Sequence, residues 1–223
     1  MKLIRDIRVF IYDKHINNFF GARSFSAKKI NIAVTRLAKL LATKKFYTNG
    51  DYDHIYLIFR ESREDFNVLE NNTKLERELN WIKMFYVEIP KKQFSNLDNE
   101  NNIMEFYELL RKILSYIFPF YQKIIDSSIE LLIDYGEKAE IEYKSKNNEK
   151  IHVNLKYQLL DNSMFLPIIV VCSKNGNVIR RLEMDKTNEL GMFGNIRINK
   201  NKIIITPKNG IYYKRFSSIE IEI

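Results

Sequence analysis

Of the three histidines, His15, His54 and His152, His54 is the one that directly follows a carboxylate. The run Asp51-Tyr52-Asp53-His54 gathers two carboxylates, a phenol and an imidazole within four residues. A carboxylate beside an imidazole can ligate a divalent cation or move a proton near neutral pH. The same run stands where the chain turns into an apolar segment, and Asp serves turns through hydrogen bonds to its own backbone. The turn role is the preferred reading. The sequence holds no HExxH and no closely spaced His/Cys cluster, so no metal centre is expected. Neither GxxxxGK[ST] nor GxGxxG occurs, and no GxSxG elbow, so neither a phosphate-cradling loop nor a hydrolase nucleophile is expected. Gly191-Met192-Phe193-Gly194 reads as a turn or bulge. The single cysteine, Cys172, excludes an internal disulfide and falls in an apolar run, as a buried free thiol does. The expectation is a protein that is not an enzyme and carries no cofactor.

Binding chemistry is better represented. Lys28, Lys29, Arg36 and Lys39 recur at helical spacing and project within about 100° of one another. Tyr212, Tyr213, Lys214 and Arg215 place two aromatic rings beside two cations near the end of the chain, and Arg180-Arg181 can join them. These eight residues, 28, 29, 36 and 39 with 212–215, are the candidate partner-binding positions. A solvated helix face and edge lysines that discourage aggregation explain the same residues structurally. A third cluster, Phe118-Pro119-Phe120-Tyr121, reads either as an exposed aromatic contact or as a buried corner between helices, with the corner favoured.

The elements that hold these residues follow from periodicity. Residues 26–45 form the best-defined helix: Ile30, Ala33, Val34, Leu37, Leu40 and Leu41 recur at spacings of three and four. Ser26 stands where it can cap the first amides, Lys44 and Lys45 suit the far end of the dipole, and Asn49-Gly50 breaks the chain. Strands flank the helix at 3–13 and 51–60, joined to it by a connector containing Asn17, Asn18 and Gly21. The second strand is apolar without alternation, as a strand buried on both faces is. Residues 62–80 are acidic and polar, anchored by Leu69, Leu75 and Leu79, with room for a short helix. A third strand over 81–89 stops at Pro90. Ile103, Phe106, Tyr107, Leu110, Ile113, Leu114 and Ile117 make a second helical stripe, Pro119 ends it, and 120–135 reads as a third helix. After Gly136 about eight short strands are expected, among them 151–158, a hairpin of 165–172 with 178–184 around Asn175-Gly176, a turn at Asn199-Lys200-Asn201, 211–216, and a final alternation of Ile219, Ile221 and Ile223. The fold class is α+β: an α/β lobe over 1–135, with about three strands and two or three helices, then an antiparallel β-meander lobe over 136–223.

Composition sets the remaining bounds. The chain of 223 residues is 45% hydrophobic and 29% charged, with a formal net charge of +8, so it is globular rather than disordered. The charge is uneven: residues 1–60 hold 12 basic and 4 acidic side chains, 61–135 hold 9 and 14, and 136–223 hold 15 and 10. Basic charge attracts nucleic acid or anionic surfaces but says nothing of fold. Lys, Asn and Ile are abundant, the bias of an AT-rich genome. The longest apolar run, 165–172, contains Pro167 and is too short to span a bilayer. MKLIRDIRVF lacks the apolar stretch of a secretion signal, so a cytoplasmic location is expected, with no membrane partner.

In length, α+β grammar, composition and lack of a legible active site, the whole chain resembles the immunity proteins of bacterial toxin–immunity pairs. The resemblance implies a protein that binds a cognate toxin domain and blocks its active site or an adjacent surface. Many immunity proteins against nucleases are acidic; the positive charge here departs from that pattern and implies a toxin domain with an acidic surface, or one that is not a nuclease. The alternative expectation is a nucleic-acid-binding protein of a mobile element or defence system.

Overall fold

The computed structural model describes residues 1–16, 21–63, 66–70, 79–200 and 202–223. The chain divides into two compact units, Met1–Ala139 and Glu140–Ile223.

The first unit is built on the strands β1 (Asp6–Tyr12), β2 (Ala22–Ser24), β3 (His54–Ser62), β4 (Asn67–Glu70) and β5 (Ile82–Pro90), in the spatial order β2-β1-β3-β5-β4. β1, β3 and β5 are parallel; β2 and β4 run antiparallel along the outsides. Parallel neighbours need a crossover connection, and the helix α1 (Lys28–Thr43) supplies it between β1 and β3. In β3, Ile55, Tyr56, Leu57, Ile58 and Phe59 are all buried, which is why its sequence is apolar without alternation. The paired register puts Ile7, Val9 and Ile11 on the same face as Ile55, Leu57 and Phe59. Helices cover that face: Phe59 meets Phe25 at 5.9 Å and Phe106 at 6.0 Å. On the other face, Tyr56, Ile58, Ile82 and Met84 form a second apolar cluster with half-buried Phe10 and Tyr86. Each fully buried Ile or Leu contributes about 1.5–3 kcal/mol. β2 and β4, three and four residues long, are additions to the three expected strands.

α1 packs on β1 and on the helices α3 (Ile103–Ile117) and α4 (Gln122–Tyr135); the short α2 (Lys91–Asn96) follows β5. The helix start differs from expectation. Ala27 is the N-cap residue and makes no side-chain cap, and Ser26 does not bond the helix amides. Asp98, from the loop after α2, instead holds the Ser26-Ala27 segment that leads into the helix, and Glu100 accepts from the helix amide of Lys29. One carboxylate oxygen accepts from the Ala27 amide at 2.8 Å; the other accepts from Arg23 Nη1 at 2.9 Å, the Ser26 amide at 3.1 Å and the Ser26 hydroxyl. Burial alone raises the Asp98 pKa, but these donors outweigh it and hold the group at about 2. The C-terminus closes with Lys45 in the left-handed region, φ 59°, while the Phe46 amide donates to Leu41 and the Lys45 amide to Ala42. That is the Schellman arrangement, with Lys where Gly is usual.

The second unit holds two antiparallel sheets. β6 (Ile141–Asn147), β7 (Ile151–Leu159), β8 (Phe165–Ser173) and β9 (Val178–Glu183) follow one another in sequence order; β10 (Ile196–Ile198), β11 (Lys202–Ile205) and β12 (Ile219–Glu222) form the other. Ile151, Val153, Leu155, Ile169 and Val171 from the first sheet share a core with Phe193, Ile203, Ile205 and Ile221. Gly176 takes φ 86° in the β8–β9 turn, a conformation open to glycine. Residues 211–216, expected as a strand, instead contain the short helix α5 (Ile211–Arg215), leaving seven strands among the described residues rather than about eight. Cys172 is half-buried, not buried. The expected helix within 62–80 falls largely on 71–78, outside the described residues, as do Leu75, Asn17, Asn18 and Asn201. No helix among the described residues is long and apolar enough to cross a membrane.

Candidate protein-binding surfaces

The basic stripe of α1 is not the continuous face its spacing suggests. Lys28, Lys29 and Lys39 are exposed, but Arg36 is only 3% exposed and Ile32, between them in azimuth, 6%. The reason is packing on several sides: with a strand and two helices against it, α1 buries a wider arc than its apolar stripe, and Arg36 lies inside that arc beside Leu40. Lys29 is engaged by Glu100, which accepts its backbone amide at 3.4 Å and lies 3.9 Å from its ammonium. Lys28 and Lys39 have no acidic partner among the described residues. The strip that remains runs from exposed Lys28 through half-buried Asn31 and Thr35 to exposed Lys39. It borders a cleft of about 290 Å³ lined by Asp6, Arg8, Phe10, Ser24, Asn31 and Thr35, along the side of β1.

The α3–α4 corner resolves the aromatic cluster into two parts. Phe118 is buried and packs edge-on against Phe46 at 5.0 Å; Tyr121 meets the same Phe46 ring at 4.7 Å. Phe120 points away and is 94% exposed. The helical phase carries the signal: Ile113, Leu114 and Ile117 continue into Phe118, and Phe120 falls two residues past it, on the opposite side. Three lysines belong to the segments that meet at this corner. Lys44 donates to the Ser127 hydroxyl at 2.7 Å, and Lys45 and Lys123 are exposed. Burial pushes the Lys44 pKa down, with Glu130 opposing.

The residues 212–215 belong to the second unit. The helix that replaces the expected strand sets Tyr212 and Arg215 on one side, three residues apart. The Tyr212 ring lies so close to Gly191 that a Cβ there would sit 2.2 Å from it, and Arg215 donates to both Glu189 oxygens at 3.0 and 3.2 Å. These tertiary contacts decide the conformation over the β-forming sequence. Tyr213, 63% exposed, and Lys214 remain as outward groups. Arg180 donates to the Glu222 carbonyl at 2.8 Å, and Arg181 pairs with Glu140 at 2.7 Å and Glu183 at 3.2 Å, so both serve packing within the unit.

Asp53 and His54 are joined, His54 Nδ1 lying 2.6 Å from Asp53 Oδ1, with Arg5 Nε 3.1 Å from the other oxygen. The His54 ring stands edge-on to Trp81 at 4.7 Å. The buried carboxylate is thereby occupied at the start of β3, the structural role its turn position suggests. Among the described residues no group of three or more His, Cys, Asp or Glu could hold a metal ion.

Comparison with protein-family models, curated proteins and solved structures found no match to this chain.

Proposed function

We propose that the chain is an immunity-type inhibitor, binding a cognate bacterial toxin domain by protein–protein contact and neutralising it. The observation that carries this reading is Phe120. A phenylalanine 94% exposed forfeits the burial that would favour folding, and here it lies in sequence between Phe118 and Tyr121, both packed on Phe46. With its flanking residues packed, the ring has only its own two side-chain torsions to order when it docks, a small entropy cost for an interface anchor. Lys44, Lys45 and Lys123, on the segments that meet at this corner, suit a partner whose apolar pocket has an acidic rim. On this reading the protein acts in the cytoplasm and needs no cofactor.

Co-expression with the product of the adjacent upstream gene tests it. Rescue from that product's toxicity and a co-purifying complex are expected, with Phe120→Ala weakening the complex by about 2 kcal/mol or more. Turnover of a substrate by the isolated protein, or a complex indifferent to Phe120→Ala, overturns the reading. Nucleic-acid binding is the second reading, favoured by unpaired Lys28 and Lys39. It requires an affinity that falls steeply with salt, with a slope of about −0.9 per phosphate contacted on duplex DNA. Lys28→Glu with Lys39→Glu removes that binding; Arg36, being buried, is left out of the variant.

A further inference from the structure

We infer that the outer edge of β9 is a self-association surface: two copies of the chain pair their β9 strands antiparallel about a two-fold axis at Leu182, joining their β6–β9 sheets into one. Among the described residues β9 pairs only with β8, and it ends the order β6-β7-β8-β9. It holds no buried residue. Val178, Ile179, Arg180, Arg181 and Glu183 are exposed, and Leu182 is half-buried. At the opposite margin β6 lies against β10, where Lys144 donates to the Gly194 carbonyl. β9 is thus the open margin, and a two-fold pair of copies closes it without leaving a site for a third.

Backbone groups alternate sides along a strand. The Met184 amide donates to the Pro167 carbonyl of β8 at 2.9 Å. Leu182, two residues back, faces β8 in the same way, so Arg181 and Glu183 direct N–H and C=O outward. Both are exposed as whole residues, so those groups meet solvent. A two-fold axis at Leu182 sets Arg181 of each copy opposite Glu183 of the other. Each such pair then exchanges both of its backbone hydrogen bonds.

Charge selects the register and the occupant. Arg181 and Glu183 project from the same face of the strand. Centring the pairing on Arg181 sets arginine against arginine, and centring it on Glu183 sets glutamate against glutamate, both unfavourable. Centring on Leu182 opposes cation to anion at both positions. An unrelated strand meets this order of charges by chance; a second copy brings it by symmetry. Within one copy Arg181 Nη2 already lies 3.2 Å from Glu183 Oε1, while its Nη1 holds Glu140 at 2.7 Å. The Arg181 and Glu183 side chains remain 40% and 55% exposed, which leaves room for the second copy's charges to join them. The contact is short. The β8–β9 register shifts so that Ile179 has no partner in β8, and a bulge of this kind bends the strand away before Val178. A short, polar edge pairing makes a weak dimer. The inference concerns the second unit alone and is independent of the toxin reading.

Amide hydrogen exchange and sedimentation of the full chain, from about 10 μM to about 1 mM, test it. At the lowest concentration the Arg181 and Glu183 amides should exchange at least about tenfold faster than those of Leu182 and Met184, which face β8. At the highest they should slow about fivefold or more as the sedimenting mass rises toward that of a dimer. Arg181→Glu and Glu183→Arg should each weaken self-association about tenfold, and mixing the two in equal amounts should restore it, since every charge then faces its opposite. The parent's own concentration dependence needs no variant, so a poorly folded Arg181→Glu leaves the test intact. Any one of four results overturns the inference: Arg181 and Glu183 amides protected in the monomer, a chain still monomeric at the highest concentration, association that leaves those two amides unprotected, or folded variants that associate no better mixed than alone.

Discussion

Replacing Asp98 by alanine tests the most consequential long-range contact of the first unit. The carboxylate binds residues 71 to 75 positions away and fixes the entry to α1 through the amides of Ser26 and of its N-cap residue Ala27. A carboxyl moved from an ordinary value of about 3.9 to about 2 carries on the order of 2.5 kcal/mol of charge-dependent stability, cut to about 1.5 kcal/mol by the solvent that still reaches it. Loss of the neutral part of the cap adds about 0.5 kcal/mol, so Asp98→Ala should cost about 2 kcal/mol at pH 7. Because the folded pKa lies below the unfolded one, the stabilisation is complete above about pH 4 and disappears as pH falls through about 2. Trp81, the single tryptophan, lies in the first unit and reports its urea unfolding by fluorescence. The gap between parent and variant should shrink from about 2 kcal/mol at pH 7 to about 0.5 kcal/mol near pH 2. A gap below about 0.5 kcal/mol at pH 7, or one that stays constant from pH 5 to pH 2, would refute the argument.

Lys45→Gly should stabilise the first unit by about 1 kcal/mol, since the left-handed residue that ends α1 then carries no Cβ; an unchanged urea midpoint contradicts this. Gly191→Ala should destabilise the second unit by about 1–3 kcal/mol through collision with the Tyr212 ring, and Tyr212→Ala should relieve most of the added cost in a double-mutant cycle. Phe120→Ala should leave thermal stability within about 0.5 kcal/mol of the parent, separating its recognition role from folding; a larger loss means the ring is structural.

What the sequence discloses is local. α1, α3 and the β8–β9 hairpin have patterns as long as the elements themselves, and β3 announces burial on both faces through Ile55-Tyr56-Leu57-Ile58-Phe59. β2 and β4 are too short to show a period, and α5 is settled by Gly191 and Glu189, some twenty residues upstream. The same division runs through the candidate surfaces. Lys28 and Lys39 were legible as polar positions in helical phase, whereas Arg36 has the same phase and chemistry and is buried because α3 and α4 close over α1. That β2 pairs with β1 only at Phe10, Ile11 and Tyr12 is likewise revealed by the register and not by any period in the sequence.

The strand order has a consequence for the chain while it is being made. β3 leaves the ribosome with its apolar run complete, and its second neighbour, β5, ends 28 residues after β3 does. At 5–20 residues per second that interval lasts roughly 1.5–6 s, during which the central strand of the sheet has one side unpaired. β4 is synthesised inside the same interval, yet it lies outside β5 in the finished sheet. Among the described residues β5 is the only strand β4 pairs with, so β4, although made first, has no partner in the sheet until β5 has been synthesised.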